Sequence, residues 1–188
     1  MTVKVESEVL RETQLVVCLL FQYAGMSFVD FAHLKERNIK NGILDYNRQK
    51  TGTPMRLEIL DTAELMRKEL MGDKRPASGY LFPFLSGTKT GYEAYLEYNA
   101  ALSRFNRNLK ALKKAAGIAS DVTSYTIRHS FAMALKEQNV PIEMISELLG
   151  HKSIKTTQIY LRSFSLEKMT EVNSTCFGCV YNYVSKVG

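Results

Sequence analysis

Residues 123–162 read TSYTIRHSFAMALKEQNVPIEMISELLGHKSIKTTQIYLR, and this stretch decides the architecture. It predicts a helix from Thr123 to about Gln138, then a second helix opened by Pro141 and stopped at Gly150. A last turn of helix, capped by Ser153, carries Tyr160. Three short helices in succession therefore deliver Arg128, His151 and Tyr160, in that order, with the tyrosine nine residues past the histidine.

Upstream of this stretch, residues 7–23 read as a mostly buried helix ending near Gly25. Ser27-Phe28-Val29-Asp30 has the form of a capping box, so a second short helix is expected to run to about Leu34. The turn signals Asn41-Gly42 and Thr51-Gly52-Thr53-Pro54 separate three short extended segments near 37–40, 43–49 and 55–60. Residues 62–71 return to helix. Residues 74–91 carry Pro76, Gly79, Pro83, Gly87 and Gly91 and read as irregular, anchored by Tyr80-Leu81-Phe82. From 92 to 116 a long helix, or a pair, places Leu102, Phe105, Leu109 and Leu112 at helical spacing, with Arg104, Arg107, Lys110, Lys113 and Lys114 on other faces. The fold class is mainly α with a small three-stranded antiparallel sheet, as one domain over residues 1–165 followed by a mixed tail, 166–188.

The bulk composition narrows the function classes. The chain has 188 residues and a formal charge of +6, which suits a polyanionic partner. Its longest unbroken apolar run, Leu15–Phe21, has seven residues, against the roughly 20 a membrane-spanning helix needs. Lys4, Glu6, Glu8, Arg11 and Glu12 precede that run, so no secretory signal is visible and a cytoplasmic, nucleoid-associated protein is expected. Cys176 and Cys179 suggest zinc, but a structural site wants four ligands, and only Cys18 and three scattered histidines remain. No metal and no cofactor are expected.

The residue types suit one chemistry. Attack of a tyrosine oxygen on a phosphodiester gathers negative charge on the phosphoryl oxygens, which fixed donors must offset. Arg128 presents two parallel N–H groups and keeps its charge. His151 can donate to another phosphoryl oxygen, and Tyr160 is the candidate nucleophile. Lys50, in Arg48-Gln49-Lys50-Thr51-Gly52, is the candidate acid that protonates the leaving 5′ oxygen. Plainer roles stand beside these. Arg128 could pair with Glu137 or Glu147, Lys50 could be an ordinary turn lysine, and the basic helix could be a solvated face. His129 and His33 read as structural, and Ser27 as a helix cap.

In these motifs, and over roughly residues 10–165, the chain resembles the tyrosine recombinases of the phage-integrase family. Leu149-Gly150-His151 through Thr156-Thr157-Gln158-Ile159-Tyr160 looks like the family's closing motif. Arg128-His129-Ser130-Phe131-Ala132 looks like its second-arginine box, and Lys50-Thr51-Gly52 like its hairpin lysine. The wording around Gly25-Met26-Ser27-Phe28-Val29-Asp30 is similar to integrases of Bacteroides-type mobile elements. The resemblance implies cleavage and rejoining of double-stranded DNA at a recombination site through a 3′-phosphotyrosine, and a tetramer on DNA, with the tail donated to a neighbour. It assigns catalysis to Tyr160, Arg128, His151 and Lys50, and to Tyr125 where the family usually has a histidine. DNA contacts are expected from Arg48, Arg104, Arg107, Lys110, Lys152, Lys155 and Arg162. The family's N-terminal clamp domain has no counterpart in the chain, so weak DNA binding by the chain alone is expected.

One departure bears on activity. A first catalytic arginine would fall at Ser27, or at Ala24 in the similar subgroup, and neither position supplies it. Arg48 and Lys35 are candidate replacements. A catalytically impaired DNA-binding or regulatory homologue is the alternative this departure leaves open.

Overall fold

Apolar residues at 15, 16, 19 and 20 recur at the helical period, and in the computed structural model all four are buried along α1 (Glu8–Gln22). The model describes residues 7–74 and 79–161, the side chain of Tyr160 excepted. After α1 the backbone reverses at Ala24 and Gly25, both at positive φ. Ser27 then caps α2 (Phe28–Ala32), its hydroxyl accepting from the Asp30 amide at 3.4 Å.

The sheet follows at once. Strands β1 (Ile39–Lys40), β2 (Ile43–Asn47) and β3 (Pro54–Glu58) pair antiparallel in the order β1-β2-β3, with Tyr46 opposite Met55 and Ile43 opposite Glu58. Leu44 and Tyr46 face inward while Asp45 and Asn47 face out, the period of two that a half-buried strand requires. The first strand is shorter than 37–40 because Glu36–Asn38 forms a 3-10 turn, in which the Asn38 side chain accepts from the Lys35 amide at 2.8 Å. The second stops at Asn47 instead of residue 49. There the Arg48 amide donates to Thr53 O (2.9 Å) and the Gly52 amide to Arg48 O (2.8 Å), closing the turn that carries Lys50.

Helix α3 (Asp61–Met71) packs on α1. Tyr80 bridges to Lys35, residues 81–90 contain no helix or strand, and Leu81 and Phe82 anchor them in the core, Phe82 stacked on Phe31 at 4.1 Å. Helix α4 (Gly91–Ala115) is a single rod of 25 residues, not a pair. Its inward stripe is Ala101, Phe105, Leu109 and Leu112, while Leu102 is only partly buried beside it. Phe105 stacks on Phe28 at 4.7 Å, fastening α4 to α2.

The closing helices are α5 (Ser124–Glu137), α6 (Ile142–Leu148) and α7 (Ile154–Tyr160). Thr123 and Thr126 cap α5 reciprocally, and Ser153 caps α7 by accepting from the Lys155 amide. α5 packs against α1, α4, α6 and α7, with a small second core of Ala132, Ile145 and Leu149 beneath. Among the described residues no helix is long and apolar enough to cross a membrane. Arg162, the tail at 166–188 and the Cys176/Cys179 pair lie outside the described residues.

Candidate active site

Two tight turns bracket the site. Gly25 has φ +63°, and a Cβ on it would come within 2.9 Å of the Phe131 ring. Gly150 has φ +61°, and a Cβ there would strike Met55 and come within 2.8 Å of the Arg48 side chain. Glycine is therefore needed at both, for conformation and for room. The two turns bring their carbonyls towards α5, and Arg128 lies between them.

Arg128 is 4% exposed. Its Nη1 donates to Gly25 O at 2.9 Å and its Nη2 to Leu149 O, so one guanidinium joins the α1–α2 turn to the end of α6. Nη2 also lies 3.3 Å from His151 Nε2. The other edge of the imidazole is engaged too, with Nδ1 2.9 Å from Oγ1 of Thr157, a fully buried residue of α7. Burial, reinforced by the Arg128 and Arg48 charges, lowers the His151 pKa to about 4, so the ring is neutral at pH 7.

A second guanidinium completes the centre. Arg48, 8% exposed, donates from Nη1 to Gly150 O at 2.9 Å, and its Nε lies 3.6 Å from Asp30 Oδ2. Asp30 is 2% exposed, which a carboxylate tolerates only when well partnered. It accepts from Ser27 Oγ (2.6 Å) and from the Gln49 amide (2.7 Å), tying the hairpin turn to α2 one residue before Lys50. Burial, with the Asp30 charge nearby, also pushes the Tyr46 phenol well above its ordinary range.

The predicted site residues thus fall into three groups. Arg128 and His151 meet directly, and Arg48 shares the same loop at Gly150. Lys50 is exposed on the turn that Asp30 holds, and Tyr125 is exposed at the start of α5, one turn before Arg128. Tyr160 ends α7, and its side chain lies outside the described residues. Arg104, Arg107, Lys110, Lys152 and Lys155 are all exposed. Of the two candidate replacements for the first arginine, Lys35 lies over the Tyr80 ring at 5.3 Å, while Arg48 lies inside the cluster. Ser27 serves as the cap, and Ala24 is buried. His33 has a packing role, with Nδ1 2.8 Å from Val29 O.

Asp30 and Thr157 were not among the residues singled out from sequence. Asp30 was legible only as the last residue of a capping box, and Thr157 only as one of a threonine pair before the tyrosine. The signal for both is an uncommonly buried polar residue, and burial is a property of the folded chain.

Comparison with known proteins identifies a family and a shared fold. The model of the phage integrase family matches residues 4–167. The tyrosine recombinase XerD of Lacticaseibacillus casei is 52% identical over 54 residues, 29% of this chain and 18% of that protein. XerC of Rickettsia typhi is 41% identical over 75 residues, 40% of this chain and 24% of that one. Each match spans under a quarter of the relative's length. Among solved structures, XerA recombinase superposes with a TM-score of 0.63 at 21% identity, covering 93% of this chain and 65% of that chain. The Tn1549 transposon integrase, solved with a circular intermediate DNA, gives 0.64 at 14% identity, covering 90% and 60%. At these identities the likeness shows a shared fold.

Proposed function

The chain belongs to the phage integrase family, and from that premise we propose that it is the catalytic domain of a site-specific DNA recombinase, over residues 1–165. The carrying observation is the meeting of Arg128 and His151 at 3.3 Å across 23 residues of sequence, on elements that lead directly into the helix ending at Tyr160. A cationic donor beside a neutral imidazole, buried against glycine turns, suits a phosphoryl group better than a salt bridge or a metal.

In the reaction Tyr160 gives up its hydroxyl proton to water, the nearby cations favouring the phenolate, and its oxygen attacks phosphorus, forming a P–O bond to tyrosine as the P–O5′ bond breaks. Lys50 gives a proton to the departing 5′ oxygen. Arg128 offsets the charge that develops on the phosphoryl oxygens, and Tyr125 adds a hydroxyl at the edge. Attack by another 5′ hydroxyl reverses the step, so one phosphodiester is exchanged for another and neither metal nor ATP enters. Arg48, the second buried guanidinium, takes the part of the arginine missing at Ala24 and Ser27. Arg104, Arg107, Lys110, Lys152, Lys155 and Arg162 neutralise phosphates of a double-stranded recombination site, on which the protein works as a homotetramer with exchange of the tail.

Ala24 and Ser27 favour a second reading, a DNA-binding or regulatory homologue without chemistry. A nicked suicide substrate separates the two. Incubated with the full-length protein and its cognate site, it should trap a denaturant-resistant protein–DNA adduct that Tyr160→Phe abolishes. Salt-sensitive binding with no adduct would support the second reading, and gain of cleavage in Ala24→Arg would then locate the lesion.

A further inference from the structure

We propose that the cleft beside the hairpin turn is a phosphodiester subsite, in which Lys35 and Arg37 hold a DNA phosphate next to the one that is cleaved. The cleft measures about 400 Å³. One wall is the segment after α2, with Lys35 and Arg37, and the other is the end of β2 and its turn, with Asn47 and Gln49. Asp30 lies at its base, 2% exposed. That carboxylate is already balanced. Its Oδ1 accepts from the Gln49 amide and its Oδ2 from Ser27 Oγ, with Arg48 Nε 3.6 Å away. The two cations have no such balance. Among the described residues neither forms an ion pair, and the intervening Glu36 lines a separate cleft with Arg67 and Lys68.

The donors suit one ligand chemistry. Lys35 and Arg37 only donate, and the Asn47 and Gln49 side chains each carry an NH₂ group, so a tetrahedral anion meets donors on both walls. Lys35 is held in advance, its Nζ 5.3 Å from the centre of the Tyr80 ring and its backbone bridged to that residue. The place of the cleft selects the source of the phosphate. Gln49 immediately precedes Lys50, and its amide is fixed to Asp30 at 2.7 Å, so the cleft and the candidate acid share one frame. Successive phosphates of a strand lie only about 3.4 Å apart along the DNA axis, so a strand that reaches Lys50 brings a neighbouring phosphate towards the cleft. The DNA source rests on the recombinase function proposed above; the anion chemistry of the cleft does not. Lys35, which lies outside the Arg128 cluster, has its own task here.

Two measurements on the whole chain test this. In proton–nitrogen spectra, dimethyl phosphate should shift the side-chain amides of Asn47 and Gln49 saturably. The double variant Lys35→Gln with Arg37→Gln should lose that shift, while exchange of the cations, Lys35→Arg with Arg37→Lys, should keep it. No saturable shift in the parent, or an equal one in the glutamine variant, overturns the proposal. Saturation by inorganic phosphate or by hexaglutamate, where dimethyl phosphate has no effect, would make the cleft a site for a free anion or an acidic protein and overturn it too. The second measurement uses Tyr160→Phe on its uncut cognate site, with a neutral methylphosphonate placed at each phosphate around the cleaved bond in turn. One neighbouring position should weaken binding by about tenfold, the worth of a hydrogen bond to a charged group. Adding the two glutamines should remove the sensitivity at that position alone and lower the slope of log K against log salt by about 2. Equal sensitivity at every position with and without the glutamines refutes the DNA source. Absence of any covalent adduct in the parent, with both results intact, would count against the recombinase chemistry and leave the subsite standing.

Discussion

His151 is the residue whose surroundings make the most direct solution prediction. Its pKa is lowered to about 4 from the ordinary 6.5, so it stays neutral in the fold at pH values where the unfolded chain takes up the proton. Between those limits the unfolded state binds more protons, so this contribution to stability is complete above about pH 6.5 and is lost as pH falls towards 4. Urea midpoints measured from pH 7 down to pH 4.5 should fall in the parent and fall less in His151→Gln. Arg128 carries a related lesson. From sequence it was open to pairing with Glu137 or Glu147, yet its guanidinium joins two backbone carbonyls that lie 103 and 21 residues away. The identity of the residue was legible, and its partners were not, because a backbone carbonyl leaves no mark in the sequence.

At the scale of elements, the helices were legible nearly to their ends and the strands less so. Helix α1 announces itself by periodicity, and Ser27, Thr123 and Ser153 announce their helices as caps. β1 was overextended because the segment before it closes as a 3-10 turn through the Asn38 side chain, a local bond that competes with pairing. The α6–α7 turn makes the firmest prediction here. Gly150→Ala would force a left-handed backbone on an L residue and push a methyl into Met55 and Arg48. The combined cost should be about 2–4 kcal/mol, read as a lower urea midpoint with unchanged slope. The Arg48–Gly150 bond should weaken with it, so any cleavage activity should fall further than stability alone requires.

Over the whole molecule, the net charge of +6 and the exposed Arg104, Arg107 and Lys110 on α4 predict the form of the binding curve. If all three contact phosphates, replacing them with glutamine should lower the slope of log K against log salt by about 3 while leaving preference among DNA sequences unchanged. Fluorescence anisotropy at several salt concentrations measures this. An unchanged slope would assign the basic helix to solvent.

The sequence by itself determined the helical architecture, the small sheet, the family, and the order of Arg128, His151 and Tyr160, because periodicity, caps and motif spacing are local and survive in one dimension. Tertiary structure alone decided that Arg48 and not Lys35 lies in the cluster, that Asp30 holds the hairpin, and that Thr157 meets the imidazole. Those outcomes depend on burial. A polar group removed from water must find a partner wherever the fold places one, and that choice is made only when distant segments close around it.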